Sequence, residues 1–313
     1  MSRLTDRGNL PRLALTLGDP RGIGPEVVAK ALADSRLRDV CELHVIGPAG
    51  LPEVNDPVGE WTTSAGVRQA GLLSGLAIQR AIQLAVAGQV QGIVTAPIDK
   101  HALQQGGYDY PGHTEMLGAL TGAQVAMMLA STRSDGPKLR VVLATTHLPL
   151  SEVPRAVTRD AIVKAATVTR RGLGDWYGIA EPRIALCALN PHGGDGGRFG
   201  REDDDVLAPA ARECGIIGPL PADTVFVRAL KGEFDAVIAP YHDVGMTAIK
   251  VASFGSAVNV TLGLPFPRTS PDHGTALDIA GRGIADPSSM VAAILECARI
   301  ATRISTRLTP THI

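Results

Sequence analysis

Short apolar runs separated by glycine- and proline-bearing turns, alternating with stretches of helical spacing, set the pattern of this chain. LALTL (13–17), LHVI (43–46), GIVT (92–95), VAMMLA (125–130), LRVVLAT (139–145), RIALCAL (183–189), AVIA (236–239) and SAVNVTL (256–262) read as strands. Apolar positions spaced three and four apart predict helices over 67–89, 158–173, 203–214 and 287–305. Another helix should open in the loop Gly18-Asp19-Pro20-Arg21-Gly22-Ile23-Gly24-Pro25, with Pro25 in its first turn and Glu26 at its positive end. Strands that alternate with helices predict an α/β protein with a largely parallel sheet.

Bulk properties narrow the class. The chain has 313 residues, room for one large or two medium domains, and no linker composition, repeat or low-complexity segment divides it. With 30 basic and 31 acidic residues its formal charge is −1, so no overall field recruits nucleic acid or an anionic membrane. The 4 cysteines are scattered without a CxxC pair, and the N-terminus lacks an apolar core of signal type. Both features lead us to expect a reduced, cytoplasmic protein.

The candidate chemistry sits where strands end. His147, His192 and His242 each follow one of the apolar runs, and in open α/β sheets ligands bind beyond the carboxyl ends of strands. A single histidine there is usually a capped or surface residue. Three of them suit a divalent metal with three protein ligands and an open position, and the loop 190–197 packs four glycines around His192. Asp223 and Asp243 are carboxylates that such imidazoles could engage through their second N–H. Lys250, Asn259 and Arg268 are either solvated surface residues or, beside a metal, partners for a phosphate and a carboxylate. In Gly112-His113-Thr114-Glu115, Thr114 either caps a helix or joins His113 as a donor to an anion. The first glycine-rich loop has the wrong spacing for a Rossmann fingerprint.

GDPRGIGPE (18–26), GHTE (112–115), TTHLPL (145–150), LNPHGGDGG (189–197), GPLPADT (218–224), YHD (241–243) and VNVTLGLPFPRTSPDHGTALDIAGRG (258–283) together resemble the 4-hydroxythreonine-4-phosphate dehydrogenases of pyridoxal phosphate (vitamin B6) biosynthesis. The motifs run collinearly through almost the whole chain. The resemblance implies a two-domain fold like that of isocitrate and isopropylmalate dehydrogenases, which binds NAD without a Rossmann fingerprint. Domains are expected at 1–110 with 260–313, on the NAD side, and at 111–259, carrying the metal, the substrate and the dimer contact.

By the same resemblance His147, His192 and His242 ligate a divalent metal such as zinc, magnesium or cobalt. His113, Thr114, Lys250, Asn259 and Arg268 would contact the substrate; for proton transfer our candidates are Lys250 or Asp243, with Asp223 a further catalytic candidate. Asp272, His273, Gly274, Thr275 and Asp278 would lie along NAD or NADP. A homodimer is implied, with each site completed by one histidine of the partner. The reaction would be oxidation of 4-phosphooxy-L-threonine at C3 with decarboxylation. The family also contains 4-phospho-D-threonate and 4-phospho-D-erythronate dehydrogenases, the alternative here, and dihydrodiol dehydrogenases that lack the HTE motif. This chain departs from the family at Arg21, where alanine is usual, at Asp195, at Val244 and in a short 50–70 region.

Overall fold

The computed structural model describes residues 10–51, 53–131, 138–253 and 256–308. Two compact units emerge, 1–123 with 264–313 and 124–263, so the chain leaves the first unit and returns to it. These divisions differ from the expected ones: His113, Thr114 and Arg268 all belong to the first unit rather than being separated.

The first unit opens with β1 (Arg12–Thr16), α1 (Gly24–Leu32), β2 (Glu42–Ala49), β3 (Asp56–Glu60), α2 (Gly66–Val86), β4 (Gly92–Thr95), α3 (Lys100–Gln105) and α4 (His113–Thr121). The second contains β5 (Ala126–Ser131), β6 (Arg140–Leu143), α5 (Val153–Ala156), α6 (Arg159–Asp175), β7 (Ile184–Cys187), α7 (Ala208–Cys214), β8 (Ile217–Leu220), α8 (Ala222–Leu230), β9 (Ala236–Ala239), α9 (His242–Ser253) and β10 (Ala257–Leu262). The chain then completes the first unit with β11 (Arg268–Pro271) and α10 (Ser288–Leu308).

In the first unit the strands run β3-β2-β1-β4-β11, every pair parallel. In the second they run β10-β5-β6-β9-β7-β8, parallel except for the antiparallel pairs β10/β5 and β5/β6. Parallel strands covered on both faces need apolar residues at successive positions. β4 and β9 are buried throughout, which is why their sequences read as continuous runs. Around β6, β7 and β9 the second core gathers Leu143, Ala185, Val237 and Phe234 with Val225 of α8 and Ile249 of α9.

The elements that escaped the apolar pattern have physical reasons to do so. β3 (DPVGE) is largely exposed at the end of its strand order, and β8 (IGPL) is another terminal strand interrupted by glycine and proline. β11 (RTSP) is buried along its length yet has no aliphatic residue, so it carries no hydrophobic signal. The 203–214 helix begins as a π-turn over Asp203–Leu207 before α7. Among the described residues no helix is long and apolar enough to cross a membrane.

Candidate active site

β6 and β9 are parallel neighbours, with Leu143 opposite Ala239, and β7 lies on the other side of β9. The three segments carrying His147, His192 and His242 therefore leave the second unit's strands at one edge. Past β6, the Ala144 N–H donates to Ala239 O at 2.9 Å and Thr145 Oγ1 to Pro240 O at 2.7 Å, tying the two exits together. This lacing puts the rings of His147 and His242 5.3 Å apart, tilted by 44°. Two imidazoles sharing one ion at about 2.0–2.1 Å, tetrahedrally disposed, have ring centres roughly 5 Å apart. The pair therefore fits a divalent metal. His242 Nδ1 bonds Asp243 Oδ1 at 2.7 Å, an arrangement in which Nε2 would be the nitrogen available to a metal and Asp243 would orient the ring. Both histidines border a cavity of about 310 Å³ with Tyr241, Leu148, Pro149 and Leu150. Burial, followed by Cys187 and Asp243, pushes the Tyr241 phenol above its usual range.

His192 is held differently. Its loop is anchored by Asp203, fully buried, whose carboxylate accepts the backbone N–H groups of Leu189 at 2.8 Å and Asn190 at 2.9 Å. Asn190 Nδ2 in turn donates to Glu202 at 2.8 Å. His192 is exposed with φ 56°, in the left-handed region, and its ring lies 6.4 Å from that of Phe199. Among the described residues of this one chain, no group of three or more His, Cys, Asp or Glu side chains gathers as a metal site. The fold thus brings His147 and His242 together without adding His192 to them. Asp223 is exposed in the first turn of α8, and Lys250 is exposed near the end of α9. Asn259, on β10, buries its Oδ1 with no hydrogen-bond partner.

The first unit builds an anion-seeking cluster. Arg268, on β11, is 1% exposed and donates through Nη2 to Thr95 Oγ1 at the end of β4. Burial pushes its guanidinium down from the ordinary arginine range to about 9, against Glu115 and Cys297, so it remains a cation at neutral pH with little water to solvate it. His113 is the first residue of α4, and its enclosed Nε2 has no hydrogen-bond partner. Burial, followed by the charges of Arg268 and Lys100, drives its pKa well below the ordinary histidine value. A neutral imidazole can therefore donate a hydrogen bond beside a buried guanidinium. Thr114 is buried in the same turn and lies inside the helix, whose N-cap is Gly112, so it is not the capping residue.

The 272–278 segment packs on the first loop. Ile23 N–H donates to Thr275 O at 2.9 Å, and a Cβ on Gly22 would come within 2.8 Å of that oxygen, so glycine is required for the approach. His273 Nδ1 lies 3.1 Å from Gly274 O, while its buried Nε2 has no partner. Asp272 and His273 are half-buried, and Gly274 and Asp278 are exposed. Several structural participants were not singled out from the sequence: Asp203 inside an acidic helix start, Thr95 and Lys100 flanking Pro97, and Asp99. Only the location of Asp99 and Lys100 just past a buried strand could have flagged them.

The model of the family described as "Pyridoxal phosphate biosynthetic protein PdxA" matches residues 30–297. A 4-hydroxythreonine-4-phosphate dehydrogenase of Synechococcus sp. (strain JA-3-3Ab) is 41% identical, covering 93% of this chain and 95% of its own length. A protein of the same name from Geobacter metallireducens is 42% identical, with coverages of 93% and 96%. A crystal structure of the Klebsiella pneumoniae 4-hydroxythreonine-4-phosphate dehydrogenase superposes with a TM-score of 0.81 at 36% identity, covering 93% of this chain and 99% of that one. The chain belongs to the PdxA family of pyridoxal phosphate biosynthetic proteins.

Proposed function

We propose that this protein oxidises 4-phosphooxy-L-threonine at C3 with NAD or NADP, and that the β-keto acid so formed loses CO₂ to give 3-amino-2-oxopropyl phosphate. The observation that carries the substrate class is the buried Arg268 beside the unpartnered Nε2 of His113, a pair able to hold an anion. A phosphate satisfies it through charge-assisted hydrogen bonds, and an uncharged diol does not. The relatives' shared name narrows that class to this substrate.

His147 and His242 would hold one divalent metal, with His192 of the partner subunit as the third ligand in a homodimer. Support for that arrangement comes from the lack of a three-ligand group within the described residues of one chain. Exposed apolar residues flank both parts of the set, Leu148 and Leu150 beside the first pair and Phe199 beside His192. When bound, the metal supplies a Lewis acid that lowers the pKa of the C3 hydroxyl and accepts the charge released on decarboxylation. Asp243 orients His242. Lys250, on the same helix, is then the candidate that takes the hydroxyl proton and returns one to carbon after CO₂ leaves. Within the first unit the His113–Arg268 pair is the candidate for holding the phosphate, and within the second Asn259 has a buried Oδ1 to offer to a hydroxyl or amine.

NAD reduction with 4-phosphooxy-L-threonine, compared with 4-phospho-D-threonate and 4-phospho-D-erythronate, tests the reading. Turnover confined to either sugar acid would refute it.

A further inference from the structure

Among the described residues Arg268 is the one arginine or lysine that is buried, so protein atoms rather than water set where its guanidinium points. Its place on β11 gives the direction. Thr269, the next residue, donates its hydroxyl to Ala293 O of α10, so by strand alternation Arg268 faces away from α10. The register sets Arg268 beside Ile93 of β4, two residues before Thr95. Ile93 and Thr95 share a face, and two strand residues span about 7 Å, within an arginine's reach. The side chain therefore runs along β4 toward its carboxyl end, where its Nη2 donates to the hydroxyl of Thr95. Thr95 is the last residue of β4 and is itself 1% exposed.

A hydroxyl does here what a carboxylate could not. A carboxylate would hold the guanidinium and cancel its charge, as Asp235 does by accepting from Nε and Nη2 of Arg183. A neutral oxygen accepts one N–H and leaves the positive charge for another anion. Threonine is also stiff at χ1, which makes its oxygen a fixed acceptor. The charge so placed reaches His113 at the start of α4 and helps keep that imidazole neutral. Thr16 supplies the contrast. It lies opposite Thr95 on β1 and is equally buried, yet its Oγ1 has no hydrogen-bond partner.

We propose that Thr95 is a positioning residue: its hydroxyl fixes one arm of the Arg268 fork so that the rest of the guanidinium meets the substrate's phosphate. The inference rests on the phosphate reading and adds to it a residue that acts through Arg268 rather than on the ligand.

Calorimetry of inorganic phosphate and of 4-phosphooxy-L-threonine with the full-length protein tests this without turnover. Thr95→Val keeps the branched shape and loses the acceptor. It should weaken both ligands about tenfold, the worth of a hydrogen bond to a charged group. Thr95→Ser restores the oxygen and should bind both as the native protein does. Thr16→Val, the same change one strand away, should also bind them normally. The decisive comparison is made in an Arg268→Gln background, where Thr95→Val should cost nothing further, because residues that act as one unit are not additive. A further loss of the same size there overturns the proposal, since Thr95 would then act independently of Arg268. Unchanged binding by Thr95→Val overturns it too, as does an equal loss in Thr16→Val. Where Thr95→Val fails to fold, Thr95→Ala, set against Thr95→Ser, carries the same comparison. A protein whose phosphate binding follows this pattern, yet which oxidises none of the phosphorylated hydroxy acids, keeps the Thr95 assignment and loses the substrate reading.

Discussion

His147 and His242 stand 5.3 Å apart, centre to centre, within a single chain, because the strands that deliver them are hydrogen-bonded neighbours. Subunit-mixing experiments must respect that pairing. If His192 comes from the other chain, mixing inactive His192→Ala with inactive His242→Ala subunits regenerates one complete ligand set per heterodimer. Mixing His147→Ala with His242→Ala regenerates none. Partial activity should return only in the first mixture, once subunit exchange has been verified by mass. Recovery in the second would mean that His147 and His242 serve different sites.

Each of the three histidine-to-alanine proteins alone should lose at least about a thousandfold in kcat, since the metal's several kcal/mol of charge stabilisation act in the transition state. Chelation of the native protein should do the same and be reversed by a divalent ion. Full activity in a verified metal-free sample would remove the metal from the mechanism.

Arg268→Gln should raise KM for the phosphorylated substrate about 10- to 100-fold, the value of a charge-assisted hydrogen bond. Because Arg268 is buried, its unfolding temperature should be measured alongside. The discriminating measurement is the preference for phosphorylated over unphosphorylated 4-hydroxythreonine. That preference should collapse in the variant, and a general folding defect would depress both substrates equally.

Asp203→Asn should destabilise the protein by about 1–3 kcal/mol in urea denaturation, because one of two backbone N–H groups loses its charged acceptor. Metal affinity should fall with it if the Asp203-held loop presents His192. A variant with unchanged stability would show that the loop holds itself.

At the acid end, Asp34 is held down from 3.8 to about 2, chiefly by the hydrogen-bonding Arg36 side chain and then by the Arg36 backbone N–H. A carboxylate with a depressed folded pKa stabilises above its unfolded pKa and loses that contribution as pH falls through the folded one. The unfolding temperatures of the native protein and Asp34→Asn should therefore differ at pH 6 and converge between about pH 4 and 2. A difference that persists unchanged to pH 2 would contradict this linkage.

Apolar runs were enough to find β4 and β9, where both faces are covered and no polar residue interrupts. They could not find β11, whose buried Arg268, Thr269 and Ser270 look like a loop until a sheet encloses them. His242 and His113 read as loop residues, yet each is the first residue of a helix, α9 and α4, and the start of α4 has glycine, with no side chain, as its cap. The histidines themselves stood out because each follows a strand. Their division into a pair and a separate third was invisible, because it depends on which exits are laced together. The bonding of Arg21 to both Asp19 and Asp99 was equally hidden, since the two acids meet only when β1 and β4 become neighbours.

From His192 to Gly197 six successive residues have positive φ, and two of them, His192 and Asp195, are not glycine. A side chain in that backbone region costs about 1–2 kcal/mol relative to the right-handed form. Glycine at position 192 would relieve the strain, so His192→Gly should be a sturdier fold and a dead enzyme. A screen for stability alone would therefore erode this loop first, trading the imidazole proposed to hold the metal for durability.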